Sequence, residues 1–389
     1  MEERRKFLIS LLLVITLCLS AIVLLFPAPR LQIAHIWTEP NQKLRSINKQ
    51  AEIKPYTNRI LSSGANISAT FFETSMLSCN ISRTYYPSNL ERKWSNVIGS
   101  INDNTREWNR GCSIVKEDVE KIYTLLKYYK QWKEDINKTW SLTWENTSDI
   151  LSHFAIEEDC GKGKTVQYIP IEPLIGFMRH PLVHCIERGR SVVDKDYMFL
   201  LNSVQIFPLV KRNPIVTKSY IFDLGASLYN QGAGGASQQW FIEEYEKRGI
   251  HFDRILCWES TKMTPEKIYG AYPNEVVEKV SYYNLNAEFD LNSKMSPIRM
   301  IKDLVKVTDF LVLKIDIDND PIELSIINSF INDPAVTNLI DEFFFEHHVS
   351  HNPVEHMGWG TAKKIMNITE SYALFGSLRA AGVRAHSWV

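Results

Sequence analysis

Ser219-Tyr-Ile-Phe-Asp-Leu-Gly-Ala-Ser-Leu-Tyr-Asn-Gln-Gly232 is the stretch that decides the fold. Tyr220 to Leu224 is a short, almost continuous apolar strand. Asp223 and Gly225 stand at its end, and Gly232, Gly234 and Gly235 loosen the turn before a helix over Gln238 to Lys247. Glycine is needed where the backbone turns with positive φ or where a ligand approaches it closely.

The same alternation continues downstream. Arg254 to Trp258 reads as a second strand, Pro265 to Tyr272 as a short helix, and Val276 to Tyr283 as a third strand. Pro297 to Val307 follows as a helix, Phe310 to Ile315 as a fourth strand, and Thr337 to Val349 contains a fifth. Tyr372 to Ala381 is helical, and Val383 to Trp388 closes the chain as a strand. Branched apolar strands separated by helical periods indicate a Rossmann-like, doubly wound α/β sheet covered on both faces. Ligands in such sheets bind beyond the carboxyl ends of strands, where strand order reverses.

The glycines do not form GxGxxG, which disfavours a nicotinamide enzyme. Glu259 ends the second strand, where a carboxylate can accept both hydroxyls of a ribose. Asp316 holds the matching place after the fourth strand.

Phe222-Asp-Leu-Gly-Ala226, Cys257-Trp-Glu259 and Leu313-Lys-Ile-Asp-Ile-Asp318 together resemble the FkbM-type branch of class I S-adenosylmethionine-dependent methyltransferases, over residues 215 to 349. That resemblance implies O-methyl transfer with S-adenosyl-L-methionine as cofactor, often to sugar hydroxyls. Asp223, Gly225 and Ala226 would line the methionine part, Glu259 would bind the ribose, and Asp316 would face the reaction centre. Four departures stand out: Ser227-Leu228 replaces the family's Asn-x, Asn230-Gln-Gly-Ala-Gly-Gly235 lengthens the turn, Asp318-Asn319 stands where Glu-Gly is usual, and one closing strand replaces the usual pair.

Methyl transfer needs donor and acceptor in line, and a base to take the acceptor proton. Asp341-Glu-Phe-Phe-Phe-Glu-His-His-Val349 places Glu346, His347 and His348 beside the expected acceptor pocket. Asp316, His347 and His348 are therefore the catalytic candidates, with the two histidines on opposite faces. Asp316, Asp318, His347, His348, His351 and His356 offer oxygen and imidazole ligands for a divalent metal, although no zinc motif is present and the primary reading assigns no metal. Asp316-Ile-Asp318 also resembles the metal-binding Asp-x-Asp of nucleotide-sugar glycosyltransferases. A metal-dependent glycosyltransferase and a non-catalytic lumenal scaffold are the alternatives to the methyltransferase.

Phe7 to Phe26 is an uncharged run, long enough at 1.5 Å per residue to cross a bilayer core of about 30 Å. Arg4, Arg5 and Lys6 precede it, so the positive-inside rule predicts a signal-anchor and a single-pass type II protein of the Golgi or endoplasmic reticulum, its catalytic domain lumenal. A cleaved signal peptide is the alternative. Sequons begin at Asn66, Asn80, Asn137, Asn146 and Asn367, fitting a glycoprotein. Of six cysteines, Cys18 falls in the apolar run and Cys257 reads as a buried thiol. Cys79, Cys112, Cys160 and Cys185 remain for one or two disulfides.

The expected organisation is a cytoplasmic tail at 1–6, an anchor at 7–26, a stem at 27–150 and a methyltransferase-like domain at 151–389. The stem contains an amphipathic helix over 114–136, which either packs on the globular domain or self-associates. A formal charge of −1 gives no case for nucleic acid. The expected partners are the membrane and a glycan or other hydroxyl-bearing acceptor.

Overall fold

A computed structural model describes residues 80–98, 105–131, 147–159, 163–176, 179–181, 195, 197–203, 205, 206, 218–231, 237–349 and 366–388. These belong to one compact unit, Ala69–Val389. Its centre is a six-stranded sheet of β4 (Ser219–Leu224), β5 (Arg254–Trp258), β6 (Val280–Tyr283), β7 (Phe310–Ile315), β8 (Glu342–Phe345) and β9 (Arg384–Ser387). Every ladder is parallel and the order is β6-β5-β4-β7-β8-β9. The chain winds outward from β4 through β5 to β6, then returns to the other side of β4 for β7, β8 and β9. The reversal between β4 and β7 opens the crevice in which ligands of such sheets bind.

β4, β5 and β7 are buried along nearly their whole length, which explains their largely apolar sequence. Phe310 to Ile315 of β7 is buried throughout. Phe222, Trp258 and Tyr283 stack across β4, β5 and β6 with ring centroids 5.7 and 4.7 Å apart.

The crossover helices begin where the sequence supplies caps. Ser296 accepts from Arg299 N ahead of α6 (Pro297–Leu304), and Asn319 accepts from Ile322 N ahead of α7 (Asp320–Ile331). Asn367 and Glu370 form a reciprocal capping box on α9 (Ile368–Ala380). The other helices are α1 (Asn89–Ile98), α2 (Thr105–Gln131), α3 (Ser237–Glu246), α4 (Pro265–Tyr269), α5 (Asn274–Val277) and α8 (Pro334–Thr337).

Several boundaries move. Val276 and Val277 belong to α5, so the third strand starts only at Val280, and Thr337 closes α8 before the fifth strand. A three-stranded antiparallel sheet, β1 (Asn80–Tyr86), β2 (Ser152–Asp159) and β3 (Lys164–Ile171), was not anticipated. Arg83 ties β1 to the main sheet through Asp341 at 3.0 Å. Trp94, Trp108, Val115, Val119 and Ile122 of α1 and α2 enter the same core as the parallel strands. The described part of the expected stem is thus packed on the globular body.

The membrane reading is corrected. Among the described residues no helix is long and apolar enough to cross a membrane. The longest, α2, is 27 residues, but it carries many charged side chains between Arg106 and Lys121. Segment 7–26 lies outside the described residues. The transmembrane signal-anchor, the type II topology, the Golgi or endoplasmic reticulum location and the membrane as partner are therefore not carried further.

Of the sequons, Asn80 opens β1 and Asn367 caps α9; Asn66, Asn137 and Asn146 lie outside the described residues. Cys112 is disulfide-bonded, whereas Cys257 is a buried free thiol.

Candidate functional site

Gly225 follows β4 with φ of +81°, and a Cβ there would lie 1.5 Å from the carbonyl oxygen of Asp316. Only glycine lets the turn after β4 lie against the turn after β7. Gly225 N and Ala226 N both donate to Trp258 O, and Gln238 Nε2 donates to Ala226 O at 2.6 Å. The turn is thereby fixed on both sides. Ser227 adopts φ of +50°, a left-handed conformation that Asn tolerates better than Ser.

Glu259, half-buried at the end of β5, braces this turn. Its Oε2 accepts from Ser227 N at 3.1 Å and its Oε1 from Thr261 N at 2.6 Å. Each oxygen keeps a further lone pair for a hydroxyl. Asp223 is wholly buried; its Oδ2 accepts from Ser237 Oγ at 3.2 Å. Ala226 is likewise buried. Of the residues assigned to a cofactor, only Gly225 and Glu259 are partly open to a ligand.

Lys314 governs this end of the sheet, and its part was not recognised from the sequence. It is 1% exposed, and its Nζ lies 3.0 Å from Asp223 Oδ1 and from Asp316 Oδ2. The same ammonium donates to Gly225 O at 3.0 Å. Burial opposes its charge, but the two carboxylates outweigh burial and raise its pKa above the ordinary lysine range. Asp223 and Asp316 therefore need no external cation to offset their repulsion. Burial lifts the Asp223 pKa despite Lys314, whereas for Asp316 Lys314 and a hydrogen bond with Glu346 overcome burial and lower it.

A second cluster forms just beyond. Asp318, Glu346 and His348 converge from the ends of β7 and β8, each contributing one ligand-type atom, all within 4.8 Å of one another. His348 Nε2 lies 3.4 Å from Glu346 Oε1 and 3.7 Å from Asp318 Oδ1. Ligand atoms about 2.1 Å from a shared divalent ion stand roughly 3.0 to 3.5 Å apart, so a small inward movement completes the set. Asp318 is left-handed, φ +54°, in the β7–α7 turn, and its side chain is 76% exposed. Burial and the neighbouring Asp316 charge raise Glu346 to about 7, against the pull of His348. His348 is raised by Glu346 and Asp318, despite burial.

The two histidines diverge. His348 faces the acidic cluster, whereas His347 is wholly buried on the opposite side, stacked on Phe345 with Nδ1 2.8 Å from Ser371 Oγ. Asp316, Asp318, Glu346 and His348 thus come together, and His347 does not join them. His351 and His356, and the glycines at 232, 234 and 235, lie outside the described residues.

No family model, curated protein or solved structure matches the chain.

Proposed function

We propose that the protein is a divalent-cation-dependent transferase that moves a glycosyl group from a nucleoside diphosphate sugar to a hydroxyl acceptor. The observation that supports this most is the convergence of Asp318, Glu346 and His348 beside Asp316, at the ends of β7 and β8 next to the crevice where strand order reverses. These three side chains would hold the cation, which offsets charge on a diphosphate leaving group when bound.

The remaining roles belong to the protein. Glu259 accepts the ribose hydroxyls, and the Gly225–Ser227 turn lets the donor lie close to backbone. Asp316, kept ionised by Lys314 and 23% exposed, accepts a hydrogen bond from the acceptor hydroxyl and orients it. Lys314 holds the β4 and β7 turns in register and does not itself reach substrate.

S-adenosylmethionine-dependent O-methyl transfer is the second reading. It is favoured by Glu259, whose carboxylate stands at the end of the strand beside the glycine turn. Two features weigh against it. The closing strand β9 pairs parallel with β8 in place of the strand pair expected of class I methyltransferases, and the Asp223 and Gly225 acceptors are engaged by Lys314.

Calorimetry on the purified chain separates the two. The glycosyltransferase reading expects Mn²⁺-dependent binding of a uridine or guanosine diphosphate sugar. Saturable S-adenosylmethionine binding in EDTA, with no nucleotide-sugar binding in Mn²⁺, would overturn it. Absence of binding to both ligands would leave the non-catalytic scaffold.

A further inference from the structure

Arg179 has hydrogen-bond donors that the protein does not satisfy. It is 0% exposed, yet among the described residues no carboxylate forms an ion pair with it. One of its five N–H donors is used, Nη2 donating to His347 O at 3.1 Å, while Nε and Nη1 are buried without any acceptor. Burial pushes the guanidinium down to about 10, which leaves it charged at neutral pH. Glu346 acts on it only through longer-range charge, and a buried guanidinium with unused donors is strongly unfavourable, so those donors call for an anionic acceptor.

A second unsatisfied group lies beside it. His347 Nε2 is buried and has no partner, and in the tautomer where Ser371 donates to Nδ1 it is an N–H donor. Besides the Arg179–His347 O hydrogen bond, the two side chains rest on neighbouring aromatic rings. Arg179 lies 5.1 Å over Phe375, His347 stacks 4.8 Å from Phe345, and these two rings are 6.0 Å apart. Arg179 also has φ of +54°, a conformation that a non-glycine residue holds only when its surroundings enforce it.

We propose that Arg179 and His347 form a binding site for an oxyanion, a carboxylate, phosphate or sulfate. His347 leaves the end of β8 on the side opposite His348, so this site is separate from the cation cluster.

Thermal unfolding of the purified full chain in EDTA tests the site without cation or donor. Phosphate, sulfate and acetate are compared with sodium chloride at matched ionic strength, and glucuronate with glucose 1-phosphate to tell a carboxylate from a phosphate source. The proposal expects at least one oxyanion to raise Tm saturably by about 2 °C or more over chloride. Arg179→Met should abolish that response while losing little stability in chloride. If Arg179→Met does not fold, Arg179→Lys decides, with at least a threefold weaker anion affinity expected. No oxyanion response in the unmodified chain, or an undiminished response in the folded variant, overturns the proposal. Failure here leaves the cation site standing, and loss of cation binding on altering Asp318 leaves the anion site standing.

Discussion

Lys314 Nζ lies 3.0 Å from Asp223 Oδ1 across adjacent strands, in a pair that is 1% and 0% exposed. The same ammonium reaches Asp316 and Gly225 O, so one side chain ties the β4 turn to the β7 turn. Removing it leaves two buried or half-buried carboxylates facing each other. Lys314→Met should destabilise the fold by about 3 to 5 kcal/mol, the cost of breaking a buried pair. Adding Asp223→Asn should recover part of the loss. Urea unfolding of the single and double variants measures the coupling, and additive effects would show that the pair is not joined as described.

The turn after β4 makes opposite demands on two neighbouring residues. Gly225→Ala would place a Cβ against Asp316 O at a positive φ, so a loss of several kcal/mol or failure to fold is expected. Ser227→Gly should instead stabilise by about 0.5 to 1 kcal/mol, because the left-handed conformation is already adopted. A Tm drop for Ser227→Gly would contradict the turn geometry.

Much of the parallel sheet is legible in sequence because β4, β5 and β7 are nearly continuous apolar runs bounded by Gly225, Glu259 and Asp316. The antiparallel sheet is not, since β1 and β2 are far apart in the chain and Asn-Ile-Ser-Arg-Thr-Tyr-Tyr gives little apolar alternation. For the site, Asp318 and His348 were visible as ligand types, but their meeting with Glu346 depends on β7 and β8 being neighbours. Lys314 is harder still. A lysine inside a buried strand has meaning only once Asp223 and Asp316 are placed beside it. Arg179 stands out only through the acceptors it lacks, a property of tertiary structure.

Glu323 gives the stability a pH dependence. Burial, with the charges of Asp320 and Asp316 adding and the Ile317 N–H opposing, lifts its carboxyl to about 8 from an ordinary value of 4.5. The folded chain keeps a proton that the unfolded chain has released, so this contribution is full below pH 4.5 and is lost as pH rises toward 8. Glu323→Gln retains an acceptor for Ile317 N and cannot ionise. It should match the parent near pH 4.5 and exceed it by about 4 to 5 kcal/mol at pH 8.5. Parallel stability curves would reject the shifted carboxyl.

His386 bridges Glu172 at 2.6 Å and Glu342 at 3.3 Å, with all three side chains buried. Burial opposes each charge, yet the glutamates raise His386 and are lowered by it. The histidine's contribution is present below its unfolded pKa near 6.5 and is lost as pH rises through its higher folded value. That of the glutamates is present above 4.5 and is lost as pH falls through their lowered values. His386→Gln should cost about 3 kcal/mol at pH 6, and less above the folded histidine pKa. A pH-independent loss would mean that packing, not charge, is what the imidazole supplies.

Mn²⁺ titration of the purified chain at pH 6.5, followed by calorimetry in two buffers of different ionisation enthalpy, tests the cation site most directly. The account predicts one saturable site and release of a proton as Glu346 becomes a ligand, with affinity lowered at least tenfold by each of Asp318→Asn, Glu346→Gln and His348→Gln. No saturable binding, or equal affinity in all three variants, would contradict it.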